Sequence, residues 1–66
     1  MSEIKMTIKT ILAYMNMNSE DFANATGISV NHLRSIMSGR AKMTAEDMIR
    51  IHRLTDIPYD SISVKQ

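Results

Sequence analysis

Apolar residues recur at helical spacing in the first quarter of the chain. Ile8, Ile11, Leu12 and Met15 follow the i, i+3, i+4, i+7 pattern that places side chains on one face of an α-helix. The pattern predicts an amphipathic helix over residues 7–16.

The next part of the chain carries two sets of helix start signals around one glycine. Asn18 is a good N-cap residue, and Asp21 falls in the first turn, where a carboxylate favours the positive end of the helix dipole. Gly27 readily adopts the left-handed conformation that ends a helix and turns the chain, and Ser29 then offers a second N-cap. These signals predict two helices joined by a tight turn, at residues 19–25 and 30–37.

A further set of signals predicts another helix near the C-terminal end. Thr44 is followed by Glu46 and Asp47, so two carboxylates fall in the first turn, where they compensate the helix dipole. The residue before Pro58 avoids helical geometry, so the helix should end there. We therefore expect a helix at residues 45–55 and a short last helix at residues 58–62.

These segments make the predicted fold class all-α, a compact bundle of about five short helices with a central helix-turn-helix. The 66 residues form a single domain with a small core, near the size at which oligomerisation often adds stability. We expect residues 63–66 to form a flexible polar tail. A brief edge strand or dimer arm at residues 61–64 is the alternative.

Composition excludes several classes of function. The chain has no cysteine, so disulfides and thiolate metal sites are excluded, as suits a cytoplasmic protein. It has no apolar run long enough for a signal peptide or a membrane span. His32 and His52 are the only imidazoles, and they show no metal-ligand spacing. We expect no enzyme activity, cofactor, metal, membrane or small-molecule ligand.

The charge of the chain is small in total but uneven in distribution. The net charge is only +1, yet residues 28–43 carry Arg34, Arg40 and Lys42 and no acidic residue. A cationic stripe of this kind would orient a protein on phosphate groups. An ordinary solvated surface is the alternative interpretation.

The span from about Ile8 to Ile62 resembles the Cro/repressor-type helix-turn-helix domain of the lambda-repressor-like, XRE family. The residues that carry the resemblance are Phe22-Ala23, Thr26-Gly27, Ile28-Ser29, Leu33, Ile36, Gly39 and Leu54-Thr55-Asp56-Ile57. The resemblance implies that the second motif helix enters the major groove of DNA. It also implies a phage Cro-like regulator in the cytoplasm of a bacterial or phage-infected cell.

The resemblance further implies roles for individual residues. The candidate base readers share the outward face of the second motif helix: Val30, Asn31, Arg34 and Ser35. The resemblance implies contacts to backbone phosphates from the start of the first motif helix and from the loop after the second: Asn18, Ser19, Arg40 and Lys42. His32 and Ser38 are further candidate phosphate contacts, and for His32 an ordinary exposed polar residue is the alternative interpretation. The chain departs from many family members in having Ser19 in place of a glutamine, and Leu12 and Met37 in place of an arginine-glutamate pair.

These observations favour a sequence-specific double-stranded DNA-binding transcriptional regulator, a Cro-like repressor that occupies its operator as a homodimer, formed in solution or only on DNA. One alternative is a DNA-binding antitoxin or plasmid-control protein. Another is a helix-turn-helix adaptor or anti-repressor that binds proteins and not DNA. For a dimer we expect contacts through Tyr59, Ile62 and Val64, because these apolar residues have no other obvious partner.

Overall fold

A computed structural model describes residues 5–66 of the chain. In this range the protein is a compact all-helical domain without a β-strand. Its elements are α1 (Ile8–Met15), α2 (Ser19–Thr26), α3 (Val30–Met37), α4 (Ala45–Thr55) and one 3₁₀ turn (Tyr59–Ser61). The all-α class and the four longer helices are confirmed, whereas the fifth helix expected at residues 58–62 is only a single 3₁₀ turn. None of the described helices has the length and apolar content needed to cross a membrane.

The chain leaves helical geometry after this 3₁₀ turn and buries Ile62. Ile62 has an extended backbone (φ −96°, ψ 123°) and a side chain that is only 1% exposed. On either side of it, the Met6 N–H donates to the Ser61 carbonyl (2.7 Å) and the Ser63 N–H donates to the Met6 carbonyl (2.9 Å). The edge pairing considered for residues 61–64 thus occurs within the chain, as one isolated parallel bridge.

All four α-helices begin in the same way, because local side chains satisfy backbone N–H groups that lack partners inside the helix. In each case the N-cap side chain accepts a hydrogen bond from the N–H group of the third helical residue. The four N-cap residues are Thr7, Asn18, Ser29 and Thr44. At the start of α1, the Ile8 N–H also donates to Oε1 of Gln66 (2.7 Å).

The core lies where α2 packs against both α3 and α4. Its buried side chains come from every helix and from the connecting segments: Ile8, Ile11, Leu12, Phe22, Ala23, Ile28, Leu33, Ile36, Met43, Ile51, Ile57 and Ile62. Met37 packs against this cluster, which agrees with an apolar role for Leu12 and Met37. Fully burying one such large side chain stabilises a protein by about 1.5–3 kcal/mol.

The turn between α2 and α3 requires a glycine because of its backbone conformation. Gly27 has φ +82°, in the left-handed region that other residues rarely adopt. A Cβ atom at this position would lie 2.6 Å from Nη1 of Arg50 on α4, at the end of a flexible side chain that could move aside. The same Arg50 nitrogen donates to the carbonyl of Thr26, the last residue of α2 (3.3 Å). The turn therefore fixes α3 close to α2 and lets α4 contact the end of α2.

Candidate nucleic-acid interface

The two faces of α3 have different surroundings. Leu33 and Ile36 are fully buried, and they fix the helix to the core. Asn31 and Arg34 are exposed on the other side. The helix thus presents a carboxamide and a guanidinium to solvent from a well-fixed backbone.

The other two candidate base readers are less exposed than Asn31 and Arg34. Val30 is half-buried and packs against the core cluster, so only part of its side chain is free for contact. Ser35 is also half-buried, and it lies one helical turn after Asn31. The four residues nevertheless share one side of α3, in the i, i+4 pairs that the sequence predicts.

The loop after α3 folds back onto the end of the helix. The Ser35 carbonyl accepts hydrogen bonds from the N–H groups of Arg40 (2.9 Å) and Ala41 (3.1 Å), and from the Ser38 hydroxyl (3.1 Å). Arg40 and Lys42 are both exposed. Because the backbone of this loop is bonded to α3, its cations are held close to the C-terminal end of that helix.

The start of α2 lies beside the end of α3. Ser19 is half-buried, and its hydroxyl donates to the sulfur of Met37 at 4.0 Å. The Asn18 carboxamide oxygen accepts the N–H of Asp21 (2.8 Å), which leaves its exposed amide group to donate elsewhere. The structure therefore brings the Asn18 end of α2 near the end of α3, and it engages the Ser19 hydroxyl with a thioether.

The structure bonds His32 to a carboxylate of α4. Its Nε2 atom lies 2.9 Å from Oδ2 of Asp47, with 37% of the His32 side chain and 9% of the Asp47 side chain exposed. The Thr44 N–H also donates to Oδ2 (3.0 Å), and the Thr44 hydroxyl accepts the Asp47 N–H (3.1 Å), a reciprocal capping box. His32, which the sequence suggests as a phosphate contact, is thus half-buried and bonded within the protein.

The Asp47 carboxylate is ionised in this arrangement. Burial by itself raises the pKa of the Asp47 carboxyl, but hydrogen bonds from Thr44 and His32 outweigh burial and lower the pKa below its ordinary value of 3.8. An ionised carboxylate only accepts hydrogen bonds, so Nε2 of His32 carries the proton of this contact.

Sequence reasoning missed the partners of two charged residues in α4. The Thr44-x-x-Asp47 spacing is close to a capping-box pattern and could have indicated the role of Asp47 in its own helix. Likewise, the i, i+4 spacing of Glu46 and Arg50 indicates their exposed ion pair (3.4 Å). The bonds from Asp47 to α3 and from Arg50 to α2 have no such local signal.

The described residues contain no cluster of three or more side chains suited to hold a metal ion. Comparisons of the chain with family models, curated proteins and solved structures found no match. The resemblance to the Cro/repressor family therefore stays a prediction. The features of the protein that bear on function are the chemistry of α3 and of the loop that follows it.

Proposed function

We propose that this protein is a sequence-specific double-stranded DNA-binding transcriptional regulator, a Cro-like repressor that occupies an operator. The observation that carries the proposal is the outward face of α3, where Asn31 and Arg34 are exposed while Leu33 and Ile36 hold the opposite face in the core. In the major groove a carboxamide can pair with adenine and a guanidinium with guanine.

The dimensions of α3 support this role. An α-helix with its side chains is about 10–12 Å in diameter, and the major groove, about 12 Å wide, admits it. Arg34 lies one turn after Val30, so a guanine contact from its guanidinium would adjoin a thymine-methyl contact from Val30. Ser35 is suited to a more permissive contact beside Asn31.

The charge around α3 supports binding to the DNA backbone. Arg40 and Lys42 are exposed in the loop held against the end of α3, and α3 has no acidic residue in its first turn. Cationic side chains near phosphates release counterions and give affinity that does not depend on sequence. The loop would therefore position α3, and the α3 side chains would read the bases.

One recognition helix reads only a few base pairs, so useful specificity favours a two-fold pair of subunits with half-sites roughly 34 Å apart. Val64 (59% exposed) is available for contact between subunits. Tyr59 (43% exposed) already has a partner within the chain, because its ring stacks on His52 with the ring centroids 4.4 Å apart, so only its exposed part is available. Ile62 is not available, because it is buried in the core, and the expectation that it contributes to a dimer surface is wrong.

The proposal is tested by selecting binding sites from a library of random DNA duplexes. We expect one sequence to be enriched, and footprinting to show two protected half-sites. Protection of an isolated half-site at saturating protein would contradict the dimer. A wild-type protein that binds no duplex at low salt would overturn the proposed function and favour the protein-binding adaptor.

The loop cations can be tested on the selected site and on an unrelated duplex. Arg40→Ala and Lys42→Ala should each weaken binding to both duplexes and lower the slope of log affinity against log salt by about one unit. Arg53→Ala is a matched control, because Arg53 is an exposed cation in the last turn of α4. A slope that stays the same in both loop variants would remove the loop from the interface.

A further inference from the structure

The His32–Asp47 hydrogen bond joins the first turn of α3 to the first turn of α4. Among the described residues it is the only hydrogen bond between these two helices. α3 and α4 make few direct contacts with each other. The helix that packs against both of them is α2. The bond closes the segment of chain between residues 32 and 47. The proposed interface on α3 and its loop, which includes Asn31, Arg34 and Arg40, lies within or next to this segment.

The His32–Asp47 bond adds to the contacts that fix the first turn of α3. A helix of eight residues is too short to be stable by itself, so neighbouring elements determine where it lies. Its fully buried residues, Leu33 and Ile36, lie beyond the first turn. In the first turn itself, Val30 is half-buried against the core and Asn31 is exposed, while Ile28, just before the helix, is buried. The Ser29 hydroxyl accepts the His32 N–H, and the His32 side chain makes the hydrogen bond that joins this turn to another helix.

Asp47 is a well-fixed acceptor for this contact. Its carboxylate is nearly buried and is held by the Thr44 N–H, while its own N–H is held by the Thr44 hydroxyl. Movement of the His32 ring away from this acceptor would break a charge-assisted hydrogen bond to a carboxylate that is only 9% exposed. The geometry therefore limits how far the first turn of α3 can shift relative to α4.

We propose that His32 is a positioning residue for DNA recognition, which fixes the first turn of α3 against α4 through Asp47 and so sets where Asn31 and Arg34 stand relative to Arg40 and Lys42. The inference rests on the proposed DNA-binding function. It assigns to His32 a role that needs no contact with DNA, in contrast to the phosphate contact that the sequence suggests.

The test compares three variants on the selected duplex and on an unrelated duplex. His32→Ala removes the donor, His32→Asn is a polar control too short to reach Asp47, and His32→Gln places an amide N–H close to the position of Nε2. We expect Ala and Asn to lower affinity for the selected duplex about tenfold and to leave the unrelated duplex within about twofold. The Gln variant should keep most of the wild-type affinity.

Two further measurements separate positioning from a purely structural role. Repeated site selection with His32→Asn should show a weaker preference at the base pair nearest Asn31, and His32→Gln should restore that preference. Thermal melting of each variant sets a temperature at which all of them are folded. If His32→Ala does not fold, the Asn and Gln variants decide the question.

Three results would count against the inference. Equal losses on both duplexes in all three variants, with a lower salt slope, would identify His32 as a phosphate contact. Lower melting temperatures with unchanged affinity and base preference would leave the bond a purely structural role. A wild-type protein that binds no duplex at all would overturn the proposed function itself, and the inference with it.

Discussion

α3 and α4 start with the same kind of N-cap and differ in the turn that follows. Ser29 and Thr44 each accept the N–H of the third helical residue. In α4 that third residue is Asp47, whose carboxylate accepts the Thr44 N–H in return. In α3 it is His32, and the first turn contains no carboxylate.

The difference concerns negative charge in the first helical turn. A carboxylate in the first turn stabilises a helix by about 0.3–1 kcal/mol, and α4 has two of them, Glu46 and Asp47. The same group in α3 would place negative charge on the surface that we propose faces DNA. His32 instead bonds to the carboxylate of the neighbouring helix, so α3 gains a contact without adding a negative charge of its own.

The largest effects should appear in the core, where the two helices do not differ. Leu33 of α3 and Ile51 of α4 are both fully buried, and replacing either by alanine should lower the free energy of unfolding by about 2–5 kcal/mol. Urea unfolding followed by circular dichroism would measure this loss. A negligible loss for Leu33→Ala alone would show that the inner side of α3 is not part of the core.

On the exposed sides of α3 and α4, replacing an arginine should affect DNA binding differently in the two helices. Arg34→Ala should reduce binding to the selected site by about 1–3 kcal/mol and relax the preference at one position of each half-site, with little change in melting, because Arg34 is exposed. Arg53→Ala on α4 is the matched control and should leave base preference intact. Equal weakening on every duplex, with preferred bases unaltered, would reduce Arg34 to a phosphate contact.

A carboxylate added to the first turn of α3, like those in α4, should raise the stability of the protein and weaken its binding to DNA. Asn31→Asp is nearly isosteric and adds a carboxylate close to the positive end of α3. We expect the free energy of unfolding to rise by about 0.3–1 kcal/mol, while DNA binding weakens on all sequences. Asn31→Ala is the control that removes the carboxamide without adding charge. Unimpaired DNA binding by Asn31→Asp would mean that this turn does not face DNA.

Acid should destabilise the protein by protonating the Asp47 carboxylate at the start of α4. Because the pKa of Asp47 is lowered in the folded protein, its contribution to stability is fully present above the unfolded value of 3.8 and is lost as the pH falls through the folded value. Melting temperatures recorded from about pH 6 down to about pH 2 should fall less steeply for Asp47→Asn than for the wild type. Identical profiles would exclude Asp47 as a source of the acid sensitivity.

The sequence by itself determined the four α-helices to within one or two residues at each end. The signals that predicted them were Asn18 and Ser29 as N-caps, Gly27 as the turn, the carboxylates of Glu46 and Asp47 in a first turn, and apolar residues at helical spacing. Each signal concerns residues a few positions apart, so the interaction it describes forms whenever that segment becomes helical. The outward position of Asn31 and Arg34 followed from the same periodicity.

Only the tertiary structure decided how distant parts of the chain meet. Neither the bond from His32 to Asp47 nor the bond from Arg50 to the end of α2 has a local pattern behind it. The burial of Ile62 beside Met6 is a similar case, because an apolar residue near the end of a chain fits a core and a dimer surface equally well. Such contacts depend on how the helices pack against one another, and that packing is decided by the whole set of buried side chains together.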